Sequence, residues 1–392
     1  MNLRLILYLV GFSAFTGSLG QNLYTPLLSD MQNELNTTSY LMSLTVSLFL
    51  IALAVMQIVF GPLADTKGRR KVLIPALVLY CVASLGCAFS HSIGLFLVFR
   101  VLQGIGSAAV PVIGAAVIGD LFRGKELAKG MATYQLMLLL APAIGPLLGG
   151  VIGEKFGYQG VFIFLTLIIL LLLFANMKFL PETKSQTGSA QGFSLKSLTI
   201  IFRNHLGAVV VLYGFIQFVI YLVYIVFVPQ ILSTFYNMSS GKVGTVLLLM
   251  SVCTIVSIRM GSWMRNVMGS GKGLLYAFLF QSFSVVLFAL TAQLSLPFLI
   301  VDVCLFGFTM GLTTSMPTTI LAEQFPEERA TVIGVFNLVR YIGSALGPMV
   351  GSLLYVESDL KPLFLTCGVI YVVTVLVGGW WMRMKGLKVV TT

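Results

Sequence analysis

Charged side chains inside long apolar runs of the sequence include Asp302, Arg100 and Arg340. Because a charged group in hydrocarbon costs about 2.5–3.5 kcal/mol on membrane-insertion scales, each of them needs a function or a compensating partner. Asp302 lies in Leu-Ile-Val-Asp-Val-Cys-Leu, where burial disfavours the charged form of a carboxyl group. It is therefore a candidate for reversible protonation, and the alternative is a permanent ion pair with a neighbouring helix.

The two arginines each allow more than one role. Arg100 can donate hydrogen bonds to backbone carbonyls exposed at bends in the helices predicted near residues 5–28 or 127–153. Arg340 can hold an anionic group of a substrate or neutralise a carboxylate. Asp302 and Arg340 lie at different depths along their apolar runs, so we assume no direct bond between them.

The surrounding sequence provides membrane-spanning helices for these residues. Of the 392 residues, 58% are hydrophobic and 9% are charged, whereas soluble proteins carry charge on about a quarter of their positions. Since a spanning helix needs about 20 residues, we predict an all-α membrane protein with twelve transmembrane helices, called spans 1 to 12. They lie near residues 5–28, 40–64, 72–90, 93–121, 127–153, 158–180, 206–234, 243–264, 273–293, 296–322, 330–356 and 361–383.

Basic residues set the orientation of these spans. With the amino terminus inside, the loops on that side contain eighteen Lys and Arg residues and the opposite loops three. This asymmetry predicts a multi-pass protein of the cell membrane with both termini in the cytoplasm. It also explains the net charge of +11, so we expect no nucleic-acid partner.

Several chemistries have no matching pattern in the sequence. The five cysteines lie inside apolar runs without paired spacing, and His91 and His205 fall on opposite sides of the predicted membrane. We therefore expect no disulfide framework, no metal, no cofactor and no enzyme active site. No GxxxxGK[ST] loop indicates ATP-driven pumping.

The longest polar segment, 181–205, falls halfway along the chain and is predicted to link two six-span halves, 1–180 and 206–392. An offset of 202 aligns Arg100 with Asp302 and Gly145-Pro146 with Gly347-Pro348. The second half is thus predicted to be a parallel repeat of the first. Two six-helix bundles in this arrangement are typical of transporters whose halves rock about a site between them.

Three motifs occupy the first half. Segment 61–71 predicts a tight basic turn after span 2, in which Gly61 permits close helix approach and Gly68 the turn. Asp65 is available to an arginine or to a helix N-terminus. Arg100-Val-Leu-Gln-Gly-Ile-Gly follows on span 4. Span 5 is predicted to be bent and closely packed, because it contains two prolines and three glycines within ten residues: Pro142, Gly145, Pro146, Gly149 and Gly150.

The three motifs together resemble those of the twelve-helix drug:proton antiporters of the major facilitator superfamily. Residues 43–150 are most similar to the bicyclomycin and chloramphenicol-resistance exporters. The resemblance implies that the span 5 motif separates exporters from importers and that Arg100 takes part in proton transfer. Such exporters commonly carry a carboxylate where this chain has Asn22, so proton coupling is predicted to rest on Asp302, Arg100 and Arg340.

The resemblance also implies that spans 1, 4, 7 and 10 line a substrate cavity. The predicted substrate-binding residues lie on three of these spans and at matching positions of spans 5 and 11: Gln21, Asn22, Tyr24, Gln135, Gln217, Tyr221, Tyr224, Met310 and Asn337. Aromatic, methionine and amide side chains suit amphipathic organic molecules. A cytoplasmic gate is predicted from Gly61, Asp65, Gly68, Arg69, Arg70 and Asp120, whereas Asp30 and Glu34 are expected to be solvated surface.

These features predict a proton-coupled exporter of small amphipathic molecules. Its expected partners are the substrate, protons and the lipid bilayer, and we expect a monomer. A proton-coupled importer of a small metabolite is the alternative, although the Gly- and Pro-rich span 5 argues against it. A non-transporting membrane receptor is a third possibility.

Overall fold

The computed structural model describes residues 3–183, 201–202, 204–325, 329–355, 359 and 361–384. Within these ranges, eleven helices are long and apolar enough to cross a membrane. One of them, Gly124–Phe179, has 56 residues and at 1.5 Å per residue exceeds twice the thickness of a bilayer core. Gly157, with φ 63° and ψ −174°, divides it into spans 5 and 6. The twelve predicted spans are thereby accounted for.

The helices of the first half follow the predicted order. Span 1 consists of Leu3–Asn22, a 3₁₀ turn at Thr25–Leu27 and a short helix, Leu28–Glu34. It breaks at Pro26, which lacks the N–H that the Asn22 carbonyl would accept; the Thr25 hydroxyl donates to that carbonyl instead, at 2.9 Å. Spans 2, 3 and 4 are Ser39–Lys67, Arg69–Ala88 and Ile93–Leu121.

The second half repeats this layout. Spans 7, 8 and 9 are His205–Thr234, Ser240–Met268 and Ser270–Thr291, and spans 11 and 12 are Arg329–Leu354 and Lys361–Met384. Span 10, predicted to be continuous, is divided into Leu296–Thr314 and Met316–Gln324. Pro317 explains the break, because proline removes a backbone donor from the helix.

In each half, a glycine brings two helices into backbone contact, and the pair of helices is equivalent in the two halves. A Cβ added at Gly104 of span 4 would overlap the carbonyl of Phe49 in span 2, and one added at Gly307 of span 10 would overlap that of Met250 in span 8. Only glycine permits such an approach. Gly307 follows Gly104 by 203 residues, so the two crossings lie within one residue of the predicted offset of 202.

The chain forms two compact units. Unit 1 comprises residues 1–192 and 226–245, and unit 2 comprises residues 193–225 and 246–392. The carboxyl end of span 7 and the first residues of span 8 therefore group with spans 1 to 6. Most of the predicted linker, 181–205, lies outside the described residues, and the division into halves at that segment stays a prediction.

Candidate functional site

Asp302 in span 10 of unit 2 is almost fully buried, with 3% of its surface exposed. Thr291, the last residue of span 9, donates a hydrogen bond to its carboxylate. None of the ion pairs between described residues includes Asp302, so the alternative of a permanent ion pair is not found among them. A carboxyl group held by a hydroxyl can gain or lose a proton without breaking an ion pair.

Arg100 in span 4 is completely buried in unit 1. Its Nε donates to the carbonyl of Thr45 at 3.1 Å, and one Nη donates to the carbonyl of Gly20 at 3.2 Å and to the side chain of Gln103. Donation to backbone carbonyls is thus observed, although the acceptors lie in spans 1 and 2 and not in span 5. The guanidinium carbon also lies 4.5 and 4.3 Å from two ring centroids, those of Tyr24 and Phe49.

Arg340 in span 11 belongs to unit 2 and has a different environment. Its guanidinium carbon lies 4.1 Å from the ring centroid of Phe218, and its Nε is buried without a hydrogen-bond partner. No described carboxylate forms an ion pair with it. Of the two roles considered from the sequence, neutralising a carboxylate has no support among the described residues.

The predicted gate residues after span 2 form a compact cluster in unit 1. Arg69 is 5% exposed, and it donates to Asp120 at 3.1 Å and also to Asp65. Gly68 has a φ of 107°, which favours glycine in this tight turn. Gly61 does not make the close helix approach that we expected, because an added Cβ would lie 3.9 Å from Val112, an ordinary contact distance.

Glu182, which the sequence analysis did not consider, completes this turn. Its two carboxylate oxygens each accept a hydrogen bond at 3.2 Å, from the backbone N–H groups of Arg70 and Lys71. The Arg70 guanidinium donates to the carbonyl of Met177. Because the first N–H groups of a helix lack partners within it, Glu182 caps span 3. An acidic residue after an apolar run was visible in the sequence, but its partners are more than a hundred residues away.

The span 5 motif lies in one continuous helix that includes Pro142, Gly145, Pro146, Gly149 and Gly150. A Cβ added at Gly149 would overlap the carbonyl of Leu23 in span 1, and one added at Gly150 would overlap that of Ser240 at the start of span 8. The close packing expected of the motif is therefore present within unit 1.

The substrate-binding residues predicted in the first half have varied surroundings. Tyr24 is buried and bonded through its hydroxyl to Thr45 at 2.9 Å, and Asn22 is buried and donates to the carbonyl of Ser18 at 3.1 Å. Gln21 is half-buried and Gln135 is exposed. These bonds occupy the donor of the Tyr24 hydroxyl and one N–H of Asn22.

In unit 2, two predicted residues meet in a buried polar network. Gln217 donates to Thr313 at 2.5 Å and to the sulfur of Met310 at 3.1 Å. Gln281, which the sequence analysis missed, accepts from Thr313 and from Tyr371, each at 2.8 Å. A glutamine inside the apolar run of span 9 was the available signal, since a polar group in a span needs partners.

The remaining predicted residues of unit 2 form two groups. Tyr224 is fully buried and stacks on Phe306, with ring centroids 3.7 Å apart, so it is part of an aromatic core. Tyr221 and Asn337 are half-buried. Tyr221 packs edge-on against Phe218, the ring that contacts Arg340, at 5.8 Å.

At the other end of unit 1, Asp30 and Glu34 are exposed but bonded. Asp30 accepts from the hydroxyl of Ser240 at 2.7 Å, and Glu34 accepts from the amide of Gln159 at 2.7 Å. Asp30 therefore ties span 1 to the start of span 8.

These helices and their buried polar groups define a polytopic membrane protein, and comparison with known proteins identifies its family. The family model described as Major Facilitator Superfamily matches residues 10–348 and 223–388. The chain therefore belongs to the major facilitator superfamily.

Individual relatives agree with this assignment. The chain is 37% identical over 172 residues to the chloramphenicol resistance protein of Pseudomonas aeruginosa, a match that covers 43% of this chain and 41% of that protein. It therefore spans less than half the length of the first curated relatives that it matches. It is 24% identical over 389 residues to the bicyclomycin resistance protein homolog of Haemophilus influenzae, which covers 97% of this chain and 96% of that one.

Solved structures show the same fold. The crystal structure of a D-xylose–proton symporter superposes with a TM-score of 0.78 at 15% identity, and the match covers all of this chain and 98% of the symporter.

Proposed function

We propose that this protein is a proton-coupled secondary transporter that exports small amphipathic organic molecules from the cytoplasm by alternating access. In this proposal its six-span halves move against each other in the cell membrane, both termini are cytoplasmic, and the monomer is the working unit. Asp302 carries the proton. The observation that carries the proposal is the burial of Asp302 beside a hydroxyl and away from any described cation, because such a carboxyl group can change its protonation during transport.

Support for export comes from span 5. Its glycines bring spans 1 and 8 to the backbone of one helix, and the resemblance of this motif to that of antiporters favours outward transport. Relatives named for resistance to chloramphenicol and bicyclomycin fit the same direction. The role of the inner cluster of Arg69, Asp65 and Asp120 is to close the cytoplasmic side in part of the cycle.

The proposal is tested with purified protein in proteoliposomes. Proton movement driven by substrate is measured in these proteoliposomes for cationic, neutral and anionic compounds. In a second assay, the accumulation of substrate is compared between everted and right-side-out membrane vesicles. We expect Asp302→Asn to abolish gradient-driven transport while exchange of substrate without a gradient persists, because an amide cannot titrate. Glu34→Gln, at an exposed carboxylate bonded only to Gln159, is the control and should retain transport. Full proton-driven transport by Asp302→Asn would refute the assigned coupling site, and accumulation only in right-side-out vesicles would indicate an importer.

A further inference from the structure

Arg340 lies on the polar face of span 11. Exposed apolar side chains mark the opposite face at helical spacing, with Ile342, Leu346 and Val350 exposed by 44%, 37% and 47%. Since successive residues of a helix are 100° apart, Arg340 points about 200° away from Ile342. Asn337, one turn earlier, shares the side of Arg340. The guanidinium is thus directed away from the surface that suits lipid.

Span 11 holds Arg340 against span 7. A Cβ added at Gly343 would come within 2.7 Å of the carbonyl of Phe215, so the two helices are in backbone contact next to the arginine. This contact places the Phe218 ring 4.1 Å from the guanidinium carbon and Tyr221 edge-on against that ring. An aromatic wall therefore lines one side of the charge.

The guanidinium of Arg340 has no acceptor among the described residues. No hydrogen bond or ion pair joins its guanidinium to a described residue, and its Nε is buried and unpartnered. The other charges of the described part of unit 2 do not supply one. Asp302 accepts from Thr291, Glu323 pairs with Arg265 at 2.6 Å, and Asp359 accepts from the backbone N–H of Lys361 at 3.0 Å. Contact with an aromatic face attracts the cation but leaves its N–H groups unsatisfied.

We propose that Arg340 binds the carboxylate of an organic anion whose apolar body packs against Phe218 and Tyr221. A guanidinium offers Nε–H and an adjacent Nη–H in the fork geometry that matches two carboxylate oxygens. The aromatic rings beside it suit a flat, apolar body. This inference rests on the proposed transport function and gives it a substrate class, amphipathic monocarboxylates. Arg340 is then a specificity-determining residue and not a part of proton coupling.

The test uses three probes that share one body and differ in charge: 1-naphthoate, 1-naphthalenemethanol and 1-naphthylmethylammonium. Their affinities for the purified full-length protein are measured by isothermal titration calorimetry. We expect wild-type protein to bind the carboxylate at least about tenfold more tightly than the other two, the factor typical of a charge-assisted hydrogen-bond pair. Arg340→Gln should remove that preference and leave the affinity for the neutral alcohol within about twofold.

Arg259→Gln is the matched control, because Arg259 is an exposed arginine in span 8 of the same unit, and it should retain the preference. The preference of wild-type protein for the carboxylate is measured without any substitution, so the proposal can be tested even if Arg340→Gln does not fold. Equal affinity of wild-type protein for all three probes would overturn it, as would a preference that survives Arg340→Gln. Carboxylate preference without gradient-driven transport would count against the proposed function alone. Proton-coupled transport without that preference would count against the organic-anion site alone.

Discussion

Arg100 of unit 1 and Arg340 of unit 2 are both arginines inside membrane-spanning helices, but their surroundings differ. Arg100 has no exposed surface and donates to Thr45, Gly20 and Gln103. Arg340 contacts an aromatic ring and has a buried Nε without an acceptor. One Nη of Arg100 is also buried without a partner, but its Nε and its other Nη are bonded and join spans 1, 2 and 4. Arg340 has no hydrogen bond to a described residue, so its donors are available to a ligand.

One acceptor of Arg100 comes from the end of span 1. Gly20 lies in the last turn of Leu3–Asn22, where carbonyls lack N–H partners within the helix. Span 7, the equivalent helix of the second half, continues from His205 to Thr234 and offers Arg340 a phenylalanine ring. The broken helix thus gives Arg100 a backbone acceptor, whereas the continuous helix presents a ring to Arg340.

The largest effect that this comparison predicts is on stability. Arg100→Met should lower the free energy of unfolding by about 3 kcal/mol or more, because each buried acceptor left without a donor costs roughly 1–3 kcal/mol. Arg340→Met should change it by less than about 1 kcal/mol, since an apolar side chain replaces an unpaired charge. Thermal unfolding in detergent, followed with a thiol-reactive fluorophore that reports exposure of the five cysteines, measures both.

Arg100→Met and Arg340→Met remove the same charge and the same side-chain volume, so each variant controls for these losses in the other. If both variants unfold at the wild-type temperature, the bonds of Arg100 do not stabilise unit 1. If Arg340→Met is the less stable variant, the assignment of the two roles is reversed.

Much of the fold was predictable from the sequence, for reasons visible in particular residues. Apolar length and charge placement predicted the spans, because the bilayer imposes both. Breaks inside spans were harder to predict. Pro26 and Pro317 interrupt their helices, whereas Pro142 and Pro146 lie within a continuous one. Tertiary packing decides whether a helix tolerates the lost hydrogen bond.

The site was less predictable, because its contacts connect residues far apart in the chain. Titratable residues in apolar runs pointed to Asp302 and Arg340, but nothing local indicated Thr291 or Phe218 as their neighbours. Glu182 and Gln281 were missed for the same reason. Each is one polar residue whose importance depends on partners brought by other helices.

The ion pairs of Arg69 in unit 1 and of Arg265 in unit 2 give a second comparison, with an intermediate predicted effect. Arg69 is nearly buried and forms ion pairs with Asp65 and Asp120, whereas Arg265 pairs with Glu323, whose side chain is 53% exposed, and donates to the Asn266 side chain. Arg69→Gln should lower the free energy of unfolding by about 2 kcal/mol, because it leaves two carboxylates close together without a cation. Arg265→Gln should cost less than about 1 kcal/mol, as is usual for an exposed pair.

The same unfolding measurement tests this pair, and 1 M NaCl adds a second readout. Salt screens exposed charges more than buried ones, so it should reduce the effect of Arg265→Gln and largely preserve that of Arg69→Gln. Equal costs for the two substitutions would mean that the Arg69 cluster is no more than a surface ion pair.

The smallest predicted effect concerns Glu182, which caps span 3 with both carboxylate oxygens. Glu182→Gln should cost about 1 kcal/mol, the usual contribution of a helix cap, because the amide keeps one oxygen acceptor and loses the charge that favours a helix N-terminus. Glu126→Gln is the matched control: Glu126 pairs with Lys129 at 3.4 Å, and both side chains are largely exposed. Loss of this ion pair should change the free energy of unfolding by only a few tenths of a kcal/mol.

Hydrogen exchange at the amides of Arg70 and Lys71 separates the two variants, because faster exchange is expected for Glu182→Gln alone. Unchanged exchange at these amides in Glu182→Gln would show that the cap does not hold the start of span 3.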